Sequence, residues 1–113
     1  MNFNPSLNEC KRNFLRIIKA IYLLKKNTNQ VYMLRAVGLY NPFPQIEAAS
    51  YYVQQYNHYI ESFTSGTFAV ANTYDSFRGR ERELLTLDRI HPNGRGYRVI
   101  ADQLNLLGYR PLA

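Results

Sequence analysis

The stretch "QVYMLRAVGLYNPFP", residues 30–44, decides the fold class. Its first part is a nearly continuous apolar run, which is typical of a strand that is buried on both faces of a parallel sheet. A half-exposed hairpin strand would instead alternate apolar and polar side chains. The run ends at Asn-Pro-Phe-Pro, a strong stop signal. We therefore predict a buried parallel strand at this point of the chain.

Helical patterns lie on both sides of this strand. Residues 4–27 open with Asn-Pro and a capping box formed by Ser6 and Glu9, which predicts a helix start. Residues 45–63 repeat apolar side chains at helical spacing and predict a second amphipathic helix. The predicted apolar stripes are Leu7, Cys10, Phe14, Ile17, Ile21 and Leu24 in the first helix, and Ile46, Ala49, Val53, Tyr56, Ile60 and Phe63 in the second.

The rest of the chain completes an alternating order of elements. Residues 67–74 predict a short second strand, residues 75–88 a polar connection, and a final helix begins near Asn93 and ends at Gly108. Helix, strand, helix, strand, helix is typical of an α/β fold with right-handed crossovers. Two parallel strands alone make a poor sheet. We therefore expect the chain to correspond to the second half of a larger fold.

Composition narrows the class of protein. A chain of 113 residues with 46% hydrophobic and 19% charged residues is one globular domain at most. One cysteine, Cys10, excludes an internal disulfide and a cysteine-based zinc cluster, and two histidines give no familiar metal-ligand spacing. The net charge of +6 is scattered, which favours a solvated surface over a nucleic-acid site. Neither a signal peptide nor a membrane-spanning apolar run is present, so these residues predict a cytoplasmic chain.

The segment "LDRIHPNGRGYRVIADQL", residues 87–104, contains the candidate for chemistry. A histidine that acts as general base needs a partner on its far ring nitrogen, which fixes the tautomer and the ring direction. Asp88 lies three residues before His91 and can reach it in a tight loop. Pro92 favours an extended backbone at His91, so the imidazole is predicted to lie on a loop before the last helix.

A purely structural interpretation of the same segment stays open. An Asp-x-x-His spacing arises often by chance, and Asn93 followed by glycines is a serviceable loop and helix cap. Gly96 is predicted to let the first helical turn approach a strand closely. The glycines could also cradle a phosphate, although no strand leads into them with the Gly-x-Gly-x-x-Gly spacing.

Residues 87–104 resemble the final block of the Ser-Gly-Asn-His (SGNH) hydrolases, also called the GDSL lipase/acylhydrolase family, whose pattern is Asp-x-x-His-Pro-Asn followed by Gly-Tyr and a helix. The segment "VGLYNPF", residues 37–43, is similar to a strand-loop segment of the bacterial lipase-like branch. The resemblance implies a flavodoxin-like three-layer sandwich with five parallel strands. Residues 1–113 would then be the C-terminal half of one SGNH domain, with its last two strands and three helices.

The resemblance also implies a function. His91 would be the catalytic base and Asp88 its orienting carboxylate in an ester hydrolase of the Ser-His-Asp type, acting on an acyl ester without cofactor or metal. The family's Gly-Asp-Ser nucleophile motif and its oxyanion-hole blocks are absent from this sequence. The isolated chain is therefore expected to be inactive, as a truncated gene, a cleavage product or a half that must meet its other half.

Other predictions concern binding. Tyr40, Asn41 and Phe43 follow the first strand, at the edge where ligands bind in such folds, and are candidate substrate-binding residues; a loop stop explains Asn-Pro equally well. The unpaired edge of that strand predicts self-association or pairing with an N-terminal half. The alternative functions are a non-catalytic interaction fragment or, less favoured, a basic nucleic-acid-binding module. Relatives are often exported or membrane-anchored, which leaves the cellular location open.

Overall fold

The structure, a computed structural model, describes residues 4–113. It confirms an α/β chain with two parallel strands. Five helices lie within the described residues, where the sequence predicted three, because the polar connection contains two short ones. The elements are α1 (Asn4–Lys26), β1 (Leu34–Val37), α2 (Glu47–Glu61), β2 (Phe68–Ala71), α3 (Thr73–Phe77), α4 (Glu81–Leu84) and α5 (Gly94–Leu106).

The sheet consists of β1 and β2 in parallel register, with Leu34 opposite Phe68 and Val37 opposite Ala71. The ladder continues by one bond at the carboxyl end, where the Gly38 amide donates to the Ala71 carbonyl at 2.9 Å. The prediction that β1 is buried on both faces is wrong, since Val37 is 43% exposed. Within residues 4–113, β1 has a neighbouring strand on one edge only.

Helices cover the two faces of this sheet. On one face the buried Phe68 ring meets Phe14 of α1 edge-on, with centroids 6.1 Å apart, and Phe14 also contacts Phe63 after α2 at 5.3 Å. Successive strand residues point to opposite faces, so Arg35 of β1 lies on the other side. Its guanidinium donates to the Gly108 carbonyl at 3.1 Å, just beyond α5. The described chain is therefore a three-layer arrangement of helix, sheet and helix.

Helix α1 departs from its sequence prediction in two ways. It begins at Asn4, so Ser6 lies inside the first turn and is not the cap of a Ser6–Glu9 box. Its buried stripe is centred on Leu7 and Ile18, whereas Ile17 and Leu24 of the predicted stripe are exposed, Leu24 by 75%. The buried flank of the helix is the one that faces α2 and Phe68 of β2.

The sequence analysis missed α3 and α4, which lie in the polar connection except that α3 begins earlier, at Thr73, so the second strand ends at Ala71 and not at the predicted residue 74. Helices of five and four residues are too short for a helical period to be visible. The turn between them uses Gly79 at φ +80°, a conformation that suits glycine. Phe77, Leu84 and Leu85 form a buried cluster here, and Tyr40, Val99 and Ile100 pack against it.

Helix α5 begins as predicted. The Asn93 side chain caps it by accepting a hydrogen bond from the Gly96 amide at 2.9 Å. The predicted close approach at Gly96 is real, but the neighbour is not a strand. A Cβ added to Gly96 would lie 2.3 Å from the Leu84 carbonyl oxygen at the end of α4. Gly108, at φ +75°, follows the end of the helix.

Candidate active site

The loop that carries Asp88 and His91 is closed at its base. Leu85 and Pro92 form an antiparallel bridge, and the Thr86 amide donates to the His91 carbonyl at 2.8 Å. Inside the loop, Arg89 has φ +58°, and its amide donates to the Thr86 carbonyl at 2.9 Å. The turn is therefore tight enough for two side chains three residues apart to face each other.

Asp88 and His91 are in direct contact. The Nδ1 atom of His91 lies 2.6 Å from Oδ2 of Asp88. The other carboxylate oxygen accepts from the Thr86 hydroxyl at 2.6 Å, and from the amides of Ile90 at 2.8 Å and His91 at 3.0 Å. All six polar atoms of this arrangement belong to the one loop. The predicted pair is thus brought together, although its catalytic role stays a prediction.

These hydrogen bonds favour the ionised form of the Asp88 carboxyl group. Those from the Thr86 hydroxyl and from the His91 ring, followed by the backbone amides, hold the pKa of Asp88 well below its usual value. An ionised Asp88 can only accept, so the hydrogen on a neutral His91 lies on Nδ1. Nε2 is then free to accept a proton, and the His91 side chain is 71% exposed.

Tyr40 contacts the same loop. Its hydroxyl donates to the Ile90 carbonyl at 2.7 Å, and its ring stacks on Phe77 with centroids 4.5 Å apart and planes 13° apart. Burial raises the pKa of the Tyr40 hydroxyl, which keeps it protonated as a donor. Tyr40 therefore lies beside the pair but uses its polar atom within the protein.

Asn41 and Phe43, the other two candidates, shape the surface next to the loop. Asn41 is buried, and its Oδ1 accepts from the Phe43 amide at 2.9 Å, which makes the turn after β1. Phe43 lies between two hollows. One, of about 950 Å³, extends along Leu39 and Ile90; the other, of about 820 Å³, is bordered by Asp88. Both predicted residues thus line space near the pair.

The end of β1 is fixed by residues that the sequence analysis missed. The side chain of Asn57, in α2, accepts from the Leu39 amide at 2.7 Å and donates to the Leu39 carbonyl at 2.8 Å. The buried Thr73 hydroxyl donates to the Gly38 carbonyl. A signal existed for Asn57, because it occupies the apolar stripe of α2 between Val53 and Ile60. A polar residue at such a position needs a buried partner.

The hydroxyls of four serines form hydrogen bonds away from His91, those of Ser50, Ser62, Ser65 and Ser76. The Ser50 and Tyr74 hydroxyls are 2.6 Å apart, and Ser65 accepts from the Phe68 amide at 3.1 Å. Among residues 4–113, none of the hydrogen bonds of His91 involves a serine. The serines of the sequence are Ser6, Ser50, Ser62, Ser65 and Ser76.

Neither a metal-ligand cluster nor a membrane-spanning helix occurs among residues 4–113. No group of three or more His, Cys, Asp or Glu side chains within residues 4–113 is placed to hold a metal ion. Among the helices described, none combines the length and the apolar character needed to cross a membrane.

Comparison with known proteins shows that this α/β chain is similar to lipases. No family model matches it. It is 34% identical over 108 residues to the spore germination lipase LipC of Bacillus licheniformis, which covers 95% of this chain and 51% of LipC. The crystal structure of the lipase Lip_vut3 from goat rumen metagenome superposes with a TM-score of 0.92 and 34% identity, over 98% of this chain and 53% of that one. The chain thus spans about half the length of these relatives, and the match supports a lipase family.

The low pKa of Asp88 predicts that the stability of the folded chain decreases in acid. A carboxyl whose pKa is lowered by folding stabilises the folded state above its ordinary pKa of about 3.9, and that stabilisation is lost as the pH falls toward the folded value. As the pH is lowered from roughly 5 to 2, the Asp88→Asn variant should therefore lose less of its free energy of unfolding than the unmodified chain does. Urea unfolding across this range measures the difference, with Asp102→Asn on α5 as control. Equal pH dependence of Asp88→Asn and the unmodified chain would contradict the prediction.

Proposed function

We propose that this chain supplies the general base, His91, and its orienting carboxylate, Asp88, to an ester hydrolase of the SGNH (GDSL) type. The observation that carries the proposal is the 2.6 Å contact between His91 Nδ1 and Asp88 Oδ2, with the imidazole otherwise open to solvent. The two relatives named as lipases support it at the level of the reaction class. In this proposal residues 1–113 are the C-terminal half of one catalytic domain, in a flavodoxin-like sandwich.

The reaction follows from the protonation states of the pair. A serine hydroxyl attacks the acyl carbonyl while Nε2 of His91 takes its proton, and the imidazolium is stabilised by the ionised Asp88. The imidazolium then protonates the leaving alcohol, so the ester C–O bond breaks and an acyl-serine remains. Water, deprotonated by the same Nε2, attacks this acyl group; the acyl–serine C–O bond then breaks, the imidazolium returns the proton to the serine oxygen, and the acid is released. Each turnover returns His91 to its neutral state.

The nucleophile in this proposal comes from residues outside the 113 of this chain. The motif in which the SGNH family carries its serine is absent from the sequence, and Ser76, the one serine that follows an aspartate, donates to the Asn72 carbonyl at 2.8 Å. Without nucleophile and oxyanion donors, only a base and its orienter remain. We therefore expect ester hydrolysis by the chain alone at the background rate.

The polypeptide that provides the serine would pack beside β1. The open edge of β1 adjoins the hollow of about 950 Å³, which is lined mainly by apolar side chains, among them Leu39, Phe43 and Ile46. The exposed flank of α1 carries Ile17 and Leu24. The relatives are nearly twice as long as this chain, so about half of their fold has no counterpart here. That other half of a lipase fold is the partner that we propose for this surface.

Complementation tests the proposal. LipC is expressed as two polypeptides, divided at the limit of its match with this chain, and the reconstituted pair is assayed with a short-chain p-nitrophenyl ester. This chain then replaces the LipC half that it matches. We expect no activity from this chain alone, and activity with sedimentation as a one-to-one complex in the mixture. If the LipC halves reconstitute activity but this chain forms an inactive mixture, the proposed function is wrong.

A further inference from the structure

Tyr40 occupies a fixed position between the sheet and the candidate catalytic loop. The residue before it, Leu39, is held at both its amide and its carbonyl by the side chain of Asn57. The ring of Tyr40 stacks on Phe77, which is buried. Backbone and ring are therefore both restrained, and the hydroxyl can reach only a small region.

That region contains the peptide unit next to His91. The carbonyl of this unit, from Ile90, accepts from the Tyr40 hydroxyl at 2.7 Å, and its amide, from His91, donates to Asp88 at 3.0 Å. One peptide plane is therefore held at both ends, by Tyr40 on one side and by Asp88 on the other. Because this plane fixes the N–Cα bond of His91, holding it narrows the range of directions that the imidazole can take.

We infer that Tyr40 is a positioning residue for the Asp88–His91 pair: by holding the Ile90 carbonyl it keeps the imidazole aligned with Asp88, in the tautomer that carries its hydrogen on Nδ1. This inference rests on the proposed function, since the tautomer matters for catalysis only if Nε2 is the base. It gives Tyr40 a task different from the substrate contact that its place after β1 suggests. The hydroxyl is engaged with the loop, so it acts through His91.

The remaining contacts of the loop do not replace this bond. The bridge between Leu85 and Pro92 fixes the base of the loop, and Thr86 binds the carboxylate of Asp88. Neither of them contacts the Ile90 carbonyl. Without the Tyr40 hydroxyl, this peptide is held only at its amide end, by Asp88, so its plane can tilt, and the tilt competes with the Nδ1 contact.

The test is the tautomer of His91, measured by ¹⁵N NMR of the imidazole nitrogens at a pH where the ring is neutral. Tyr40→Phe keeps the ring that stacks on Phe77 and removes only the hydroxyl. We expect a roughly fivefold fall in the ratio of the Nδ1–H to the Nε2–H tautomer, the size expected from one lost hydrogen bond. His58, exposed on α2, is the reference within the same molecule and should not change.

Tyr109→Phe is the matched control. It also removes a tyrosine hydroxyl that is hydrogen-bonded, to Asn105 at the opposite end of α5, and should leave the His91 tautomer unchanged. If Tyr40→Phe does not fold, para-fluorophenylalanine at position 40 fills the space of the hydroxyl without donating, and should give the same fall. A folded variant at position 40 with an unchanged tautomer ratio overturns the inference and leaves the proposed function intact. An unmodified chain without the Nδ1–H tautomer would overturn both.

Discussion

Replacing His91 with alanine is expected to lower kcat for ester hydrolysis by roughly 10⁶-fold in the complemented enzyme, which is the loss known for removing the base of a serine hydrolase triad. Without the imidazole no group accepts the serine proton or returns it to the alcohol. Asp88→Asn should cost less, about 10⁴-fold, because an amide can donate to Nδ1 and favour the wrong tautomer. The measurement is the initial rate with a p-nitrophenyl ester at saturating substrate.

The double variant separates a shared role from two independent roles. If Asp88 acts only through the imidazole, then His91→Ala combined with Asp88→Asn should be no slower than His91→Ala alone. His58→Ala, which removes the other histidine of the chain, is the matched control and should keep full activity. Losses that multiply in the double variant, or a His91→Ala enzyme near full rate, would contradict the assignment of the pair.

Gly96→Ala is expected to cause the largest loss of stability, about 3 kcal/mol in the free energy of unfolding, at the upper end of the usual range for overpacking. The added Cβ would lie 2.3 Å from the Leu84 carbonyl oxygen and 2.9 Å from the Cβ of Pro92. Neither neighbour can move freely. The Leu84 carbonyl accepts from the Asn93 amide at 2.8 Å, and Pro92 belongs to the bridge under the loop. The clash therefore strains the base of the Asp88–His91 loop.

Gly94→Ala gives the comparison for this variant. Gly94 is in the same first turn of α5, but a Cβ added there meets no atom within 4 Å. Alanine favours the helix over glycine by about 0.8–1.0 kcal/mol in a helix interior and by less at its start, so Gly94→Ala should be neutral or slightly stabilising. Urea unfolding of the two variants measures both. Equal effects would show that helix propensity, and not the contact with α4, governs the position.

Local features of the site were predictable from the sequence because their partners are close in the chain. Asp88 meets His91 across three residues, and Asn93 caps the helix that begins beside it. The order of the longer elements was readable for the same reason, since α1, α2 and α5 show helical spacing and β1 lies in a continuous apolar run. At Gly96 the close approach itself was predicted correctly. Only the neighbouring element was wrong, since it is the end of α4 and not a strand.

Features that depend on distant elements could not be predicted in this way. The hydroxyl of Tyr40 finds its acceptor 50 residues later in the chain, at Ile90. Which flank of α1 is buried depends on the position of α2. The apolar stripe therefore predicted the helix but not which of its sides is buried. Thr86 carried no signal beyond its place two residues before Asp88. For Tyr40 and for α1 the deciding contact is tertiary and leaves no period in the sequence.

The hydrogen bonds of Arg35, which hold the scaffold, and those of the Asp88–His91 loop respond differently to acid. The two terminal nitrogens of the Arg35 guanidinium donate only to main-chain oxygens, those of Leu34, Thr67, Gly108 and Arg110. An arginine keeps its charge and a peptide carbonyl does not titrate, so this attachment of the sheet to the segment after α5 is indifferent to pH. The Asp88–His91 loop is held by a titrating carboxylate. Because folding lowers the pKa of Asp88, only acid well below the usual range of a carboxyl group would remove its charge and loosen the loop, while the attachment through Arg35 would stay in place.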